Sequence, residues 1–435
     1  MTILETKNLS FSYPDGTQAL KDITVKIEKG KRIAFVGRNG SGKSTLFLSM
    51  NGTHRPEGGE IFFHGEPMKY NSGSLKEVRK NIGIVFQNSD DQIFAPTIYQ
   101  DVAFGPTNLG YSKEEVERIV SNTLEYVGLT ELKDKPPHHL SGGQKKRVAI
   151  AGIVAMDPEI MILDEPLANL DPVGADEVMD LLNELNYSGQ TIIISTHDVE
   201  LAYSWADYLY FLSNGRIVGQ GTPEETFTNE LLLKKTHLRT PMVLDIYNEI
   251  RKRGLASSKK PPTTVLDLVN SLRVPKYMSI DAPPQTQKGD SVNLGLLGGE
   301  FACEDFYDAV NAKVLCVRSS GEAIVEVSHT GLKPGGISVY DLDNYKPELF
   351  HKQINEVGVN VIGAIGKKCK QMAEDDGIFL NISSGVVEKS ILMSLYGKRC
   401  LILANGKMVD YVMGRISEYV EESGIDINFS IINRN

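Results

Sequence analysis

Nine consecutive residues constrain this chain more than any others: Gly37-Arg38-Asn39-Gly40-Ser41-Gly42-Lys43-Ser44-Thr45. They fit G-x-x-x-x-G-K-[ST], a loop that wraps phosphates. The short apolar run Arg32-Ile-Ala-Phe-Val36 precedes them and reads as a strand. From Lys43 to Asn51 the pattern is helical, with Leu46, Phe47 and Met50 on one side. Glycines in such a turn let backbone N–H groups face a polyphosphate, and the helix N-terminus adds the positive end of its dipole. Lys43 is then placed for the β- and γ-phosphates, and the Ser44 hydroxyl for Mg²⁺.

At 435 residues the chain exceeds one ordinary domain. About 150 residues per domain gives two or three. With 41% hydrophobic and 23% charged residues it has the composition of a soluble globular protein. Its net charge of −10 argues against nucleic acid as the main partner. No apolar run approaches the ~18 residues that span a bilayer. The N-terminus has no basic start followed by an apolar core, so no secretory signal is expected. The expectation is a protein inside the cell that reaches a membrane only through a partner. Cys303, Cys316, Cys369 and Cys400 form no C-x-x-C pair and read as buried thiols.

Residues 1–30 alternate apolar and polar and read as antiparallel strands. Tyr13, in the turn between them, is either a half-buried strand-end aromatic or a surface on which a base stacks. Asn81-Ile-Gly-Ile-Val-Phe86 reads as a buried strand ending in Gln87, and Asp90-Asp91 follow in a polar loop as solvated charges that meet basic groups on a partner or as an acid/base pair. Ser112-Lys-Glu-Glu115 is a capping box opening a helix. In Leu140-Ser-Gly-Gly-Gln144, Ser141 would cap a helix over 145–156 whose free N–H groups make a second anion site. Residues 159–163 form an apolar strand ending in Asp164 and Glu165, a strand-end acidic pair or a Mg²⁺ carboxylate beside one that polarises water. His197 follows the apolar run Thr191-Ile-Ile-Ile-Ser195, where ligands of open α/β sheets bind. Asn214-Gly215 turns a strand pair, and Thr222-Pro223-Glu224-Glu225 opens a helical region reaching about Gly254. Residues 257–264 and 281–290 are Pro-rich and polar, and 257–290 is expected to be a linker. Beyond Asp290 a small α/β domain is expected, with strands at 313–318, 322–328, 335–340, 358–363, 377–382, 398–403 and 426–431 and helices at 346–356, 366–374, 384–396 and 407–423. Gly363-Ala-Ile-Gly366-Lys367 and Ser383-Ser384-Gly385 precede two of these helices and are weak anion-site signals, either a place for a phosphate or carboxylate or, as ordinary helix caps explain both, no site at all.

With these residues laid out, the first ~225 resemble the nucleotide-binding subunit of ATP-binding-cassette (ABC) transporters over every motif of the family. Gly37 to Thr45 resemble the Walker A loop, Gln87 the Q-loop glutamine, and Leu140 to Gln144 the LSGGQ signature. Ile160 to Glu165 resemble Walker B with Glu165 as catalytic carboxylate, Ala168-Asn-Leu-Asp171 the D-loop, His197 the switch histidine, and Tyr13 the aromatic that stacks on adenine. The stretch from Phe86 through Thr97, with Asp101-Val-Ala-Phe-Gly-Pro106, is similar to the energy-coupling-factor (cobalt/nickel-type) subfamily. Ser89 and Tyr99-Gln100 depart from that subfamily's usual residues, Pro and an acidic pair.

The resemblance implies a P-loop cassette: a RecA-like α/β core, an antiparallel β subdomain and a helical signature subdomain over 1–225. A helical extension at 226–256 holds a dimer in that subfamily. It implies ATP and Mg²⁺, with Ser44, Asp164 and Gln87 around the metal. Glu165, His197, Lys43 and Gln87 would be catalytic, and the Walker A residues, Ser141, Gly142, Gly143, Gln144, Asp171 and Tyr13 would bind nucleotide. It implies a head-to-tail homodimer, or a heterodimer with a paralogous ATPase, in which the signature of one chain closes on ATP held by the other. Transmembrane coupling and substrate-binding subunits would place it on the cytoplasmic face of the membrane, energising import of metal ions or vitamins. Residues 291–435 lie outside the subfamily pattern, and a regulatory sensor is the role open to them. A soluble ABC ATPase acting on DNA or ribosomes is the alternative. Such chains carry a long coiled coil or two cassettes, whereas Lys43 and Ser141 stand 98 positions apart with no heptad run.

Overall fold

The computed structural model describes residues 1–253, 255–256, 260–271, 276–281, 287, 291–293, 311–317, 322–327, 335–347, 350, 354, 358–383, 385–423, 425 and 427–433. The chain forms two compact units, Met1–Asp245 with Gly366–Lys368, and Ile246–Ile365 with Cys369–Asn435.

In the first unit, β1 (Thr2–Ser12) and β2 (Gln18–Glu28) pair antiparallel, as their alternation predicts, before β3 (Arg32–Val36), α1 (Lys43–Met50), β4 (Gly58–Phe63) and β5 (Glu66–Pro67). Next come α2 (Ser72–Asn81), β6 (Ile82–Val85), α3 (Ile98–Leu109), α4 (Lys113–Tyr126), α5 (Gly142–Val154) and β7 (Ile160–Leu163). The unit continues with α6 (Pro172–Tyr187), β8 (Thr191–Thr196), α7 (Val199–Trp205), β9 (Tyr208–Ser213), β10 (Arg216–Gly221), α8 (Pro223–Phe227), α9 (Glu230–Thr236) and α10 (Met242–Lys252), within which the units divide. Strands β2-β1-β4-β5 form one sheet and β10-β9-β3-β8-β7-β6 another.

In the second sheet the five strands from β9 to β6 run parallel and are buried runs of Ile, Leu, Val and Phe, as a parallel sheet covered on both faces requires. Its register decides where the chemistry goes. Val36 pairs with Thr196, Leu163 with Ile194, and Val85 with Leu163. The strands therefore end level, and Gly37, Gln87, Asp164 and His197 all leave the sheet at one edge. Between the two sheets lies the core of Leu4, Val25, Phe35, Leu46, Phe47, Met50 and Tyr210. Phe35 stacks on Tyr210 at 5.0 Å between centroids and meets Phe47 edge-on at 5.4 Å. Helix α3 packs on α4 and α5.

The second unit carries α11 (Val265–Ser271), β11 (Lys276–Asp281), β12 (Ser291–Asn293), β13 (Asn311–Val317), β14 (Glu322–Val327), β15 (Ile337–Asp341), β16 (Val361–Ala364), α12 (Lys367–Asp375), α13 (Val386–Leu395), β17 (Cys400–Ala404), α14 (Lys407–Ser423) and β18 (Phe429–Ile432). It has an antiparallel sheet, β11-β14-β13-β12, and a parallel one, β16-β17-β15-β18. The linker expected over 257–290 is thus corrected. Tyr277-Met-Ser-Ile280 alternates between Pro-rich flanks, and β11 uses that alternation to pair with β14. The strand expected at 377–382 is reduced to a single bridge between Gly363 and Ile382. Most of the helix expected at 346–356, and Cys303, lie outside the described residues; Cys369 and Cys400 are buried thiols.

Candidate active site

The loop after β3 can exist only with glycine at two of its positions. A Cβ on Gly37 would lie 2.3 Å from the Leu212 carbonyl oxygen. Gly42, at φ +107°, is left-handed, and a Cβ there would lie 2.8 Å from the Ala19 oxygen. Gly42 also caps α1 without a side-chain acceptor. Lys43 folds back over the loop. Its Nζ donates to the Gly37 and Arg38 carbonyls at 2.7 and 3.2 Å and lies 3.9 Å from Glu165 Oε1. Burial pushes the Lys43 pKa down, and the charges of Glu165 and Asp164 act against that shift. Ser41 is buried with its Oγ unpaired among the described residues, while Arg38, Asn39 and Gly40 are exposed.

The carboxylates follow β7. Each oxygen of Asp164 accepts from a serine hydroxyl, one from Ser44 and one from Ser195. Glu165 stands at φ +43°, a conformation a non-glycine residue holds only when its surroundings enforce it. Its N–H donates to Ser195 Oγ at 2.8 Å. Its carboxylate gathers three groups: Lys43, Gln87 Nε2 at 3.4 Å and His197 Nδ1 at 3.3 Å, the last two on the same oxygen. The register of the sheet brings together Lys43, Ser44, Gln87, Asp164, Glu165 and His197 from four loops.

A cavity of about 470 Å³ opens here, with Tyr13, Lys43, Ser44, Gln87, Asp164 and Glu165 in its wall and His197 outside it. Tyr13 is half exposed; its hydroxyl hydrogen-bonds Thr45 Oγ1 at 2.9 Å, and its ring meets Phe11 and His54 edge-on. A polyphosphate fits what the loop presents: an uncapped helix start, an unpaired buried hydroxyl on Ser41 and one buried ammonium. The paired oxygens of Ser44 and Asp164 are the hard donors that Mg²⁺ takes.

The remaining predicted residues lie elsewhere. Ser141 caps α5 in a reciprocal box with Gln144, accepting from the Gln144 N–H at 3.3 Å while Gln144 Oε1 accepts from the Ser141 N–H at 3.0 Å. That box starts the helix at Gly142, three residues before the expected Lys145. None of Ser141, Gly142, Gly143 and Gln144 lines the cavity. Asp171 caps α6, accepting from the Gly174 N–H at 2.7 Å, and is also outside the cavity wall. Asp90 meets a basic group of its own chain, Lys145, at 2.6 Å.

Two residues escaped the sequence reading. Ser195 closes the run Ile192-Ile-Ile194, and a buried hydroxyl at the end of an apolar strand was the signal for it, one that Thr196 beside it shares. Lys146 is only 2% exposed, and its Nζ donates to the Phe86 and Gln87 carbonyls at 3.0 and 2.7 Å. Burial pushes its pKa down to about 8.

The ABC transporter family profile matches residues 20–168. A Methanosarcina mazei protein described as an ABC transporter ATP-binding protein is 59% identical over 434 residues, covering 100% of this chain and 96% of that protein. The energy-coupling factor transporter ATP-binding protein EcfA2 of Methanospirillum hungatei is 41% identical, over 96% of this chain and 93% of its own length. EcfA of Methanocaldococcus jannaschii is 56% identical over 58% of this chain and 91% of its own length. Among solved structures, cbiO1 of Clostridium perfringens, part of the ABC transporter complex cbiONQ, aligns with 43% identity and a TM-score of 0.50 over 58% of this chain and 99% of that one. A phosphate-wrapping loop, two carboxylates at its mouth and relatives matched end to end agree: the chain belongs to the ATP-binding subunits of ABC transporters, in the energy-coupling-factor subfamily, and hydrolyses ATP to drive transport.

Proposed function

We propose that this chain is the peripheral motor of an importer for a metal ion of the cobalt/nickel type or a vitamin, and that it works as a head-to-tail pair on the cytoplasmic face of the membrane. The observation that carries the pairing is the separation of the two anion sites. The cavity holds Lys43, Ser44 and Glu165, while the capped start of α5 at Ser141 does not reach it. A second copy supplies that helix start to the γ-phosphate, and Asp171 belongs to the same seam. Phe94 and Phe104, 66% and 51% exposed and edge-to-face at 4.8 Å, lie shortly after Gln87 and offer a membrane partner an apolar hold. The membrane partners select the cargo.

The chemistry is attack of water on the γ-phosphate without a covalent enzyme intermediate. Ser44 and Asp164 would hold Mg²⁺, with Gln87 as a further oxygen donor, and the ion would neutralise charge on the phosphates when bound. Lys43 leaves its two carbonyls for the β- and γ-phosphate oxygens and carries positive charge to where negative charge develops. Glu165 orients and deprotonates the water. His197, whose Nδ1 stands 3.3 Å from Glu165 Oε2, fixes that carboxylate and contacts the γ-phosphate. Tyr13 stacks on the adenine once its hydroxyl leaves Thr45.

Glu165→Gln tests this. ATP binding is expected to persist, turnover to fall at least about 100-fold, and the mass by light scattering to double with ATP and Mg²⁺. Used as bait on solubilised membranes, the same variant should recover a multi-spanning protein. Wild-type turnover, a mass unchanged by ATP, or recovery of ribosomal or DNA-bound proteins alone would overturn the proposal.

A further inference from the structure

Lys146 is a buried cation that the chemistry above does not use. It lies on α5, five residues after the Ser141 cap, and forms no ion pair among the described residues. Burying an ammonium without a carboxylate is costly unless its donors are satisfied. Here the acceptors are two successive backbone carbonyls, Phe86 at 3.0 Å and Gln87 at 2.7 Å. The same peptide segment is gripped from its other side, since the Phe86 N–H donates to Gln92 Oε1 at 3.0 Å and Gln92 Nε2 donates to the Ile84 carbonyl at 3.2 Å. Lys145 adds a second tie through Asp90 at 2.6 Å, but on the surface, where such pairs are worth little. Residues 86–92 are thus fastened to α5 by one buried ammonium. The Gln87 side chain in turn reaches Glu165 at 3.4 Å.

We propose that Lys146 is a positioning residue that couples the two ATP sites of the assembled pair. This rests on the head-to-tail arrangement proposed above. The start of α5 serves the ATP of the opposite copy, while Gln87 and Glu165 serve the chain's own. Lys146 joins them within one chain through α5, its ammonium, the Gln87 carbonyl, the Gln87 amide and Glu165. A displacement of α5 on closing against one nucleotide therefore moves Gln87 relative to the catalytic carboxylate at the other. Methionine at 146 fills a similar volume and cannot hold the carbonyls. Glutamine holds one of them, and arginine holds both.

The test is steady-state ATP hydrolysis by the full-length wild type and by Lys146→Met, Lys146→Gln and Lys146→Arg, with ATP binding measured alongside. The wild type should be cooperative in ATP, with a Hill coefficient approaching two, the number of sites. In Lys146→Met the coefficient should fall toward one and kcat about tenfold, with the affinity for ATP changed less than about twofold. Lys146→Arg should restore most of the cooperativity, and Lys146→Gln should fall between; if Lys146→Met does not fold, Lys146→Gln carries the comparison. A cooperative wild type with equally cooperative variants overturns the coupling and leaves the paired arrangement standing. A wild type with no cooperativity and no ATP-dependent doubling of mass overturns both.

Discussion

Ser195 bears no charge and does not line the cavity, yet both carboxylates of the site depend on it. Its hydroxyl donates to one oxygen of Asp164 and accepts the Glu165 N–H at 2.8 Å. The first bond leaves the other Asp164 oxygen turned to Ser44; the second holds the left-handed backbone that presents the Glu165 side chain. Removing the hydroxyl strands a buried N–H, which costs about 1–3 kcal/mol, and frees the Asp164 carboxylate to rotate. Ser195→Ala should therefore lower kcat about 10- to 100-fold while the KM for ATP moves less than about threefold, since Lys43 and the phosphate loop are untouched. Steady-state kinetics at saturating Mg²⁺ read both constants. A variant with wild-type kcat, or one whose loss lies wholly in KM, would remove Ser195 from this role.

At the scale of elements, Tyr210 is the rivet between two sheets. It lies on β9, its ring stacks on Phe35, and its hydroxyl donates to the Lys26 carbonyl of β2 at 2.6 Å while accepting the Lys26 N–H at 3.0 Å. Burial pushes its pKa up to about 12, so it stays protonated and keeps the donor. Tyr210→Phe preserves the stack and loses both bonds. It should cost about 1–2 kcal/mol and lower Tm by about 2–4 °C per kcal/mol, with ATP turnover per folded molecule unchanged. Thermal melts and an activity assay at 25 °C separate the two effects; equal melting would mean that water replaces the bonds. The contrast with the caps explains what the sequence revealed. Ser112, Ser141 and Thr222 each bond a residue three positions on, so these caps could be read directly, although the helix after Ser141 begins at Gly142 rather than at Lys145. So could the phosphate loop, whose function sits in nine contiguous residues. Lys26 and Tyr210 lie 184 positions apart, Lys146 and Gln87 59, and Ser195 and Asp164 31. Such pairs depend on strand order and register, which no local pattern encodes. Helix α2 was missed because Val78 is its only buried residue, and α3 because Pro106 interrupts its pattern.

At the scale of the whole molecule the question is what the second unit adds. Its parallel sheet is covered on both faces by its own residues. Ile337, Val339 and Ile402 pack with Val409, Val412 and Ile416 of α14, while Tyr340, Leu401 and Leu403 pack with Phe350 and Cys369. That is the burial a parallel sheet needs, and it marks a domain with its own core. EcfA of Methanocaldococcus jannaschii matches 58% of this chain over 91% of its own length, so a cassette occurs there with little beyond it. The cut that separates the two functions is set by the strands. Ending the chain near 285 would leave β11 without its partner β14, an unpaired edge prone to aggregation, whereas ending it after residue 253 removes that sheet entirely and keeps α10. The 1–253 chain should bind ATP as the full chain does and hydrolyse it. If the second unit is a sensor, the full chain in its membrane complex should change its ATPase rate with cargo concentration, and the shortened chain in the same complex should not. Matching responses of the two chains across candidate metal ions and vitamins would sink the sensory role, while loss of ATP binding on shortening would assign the second unit to the stability of the first.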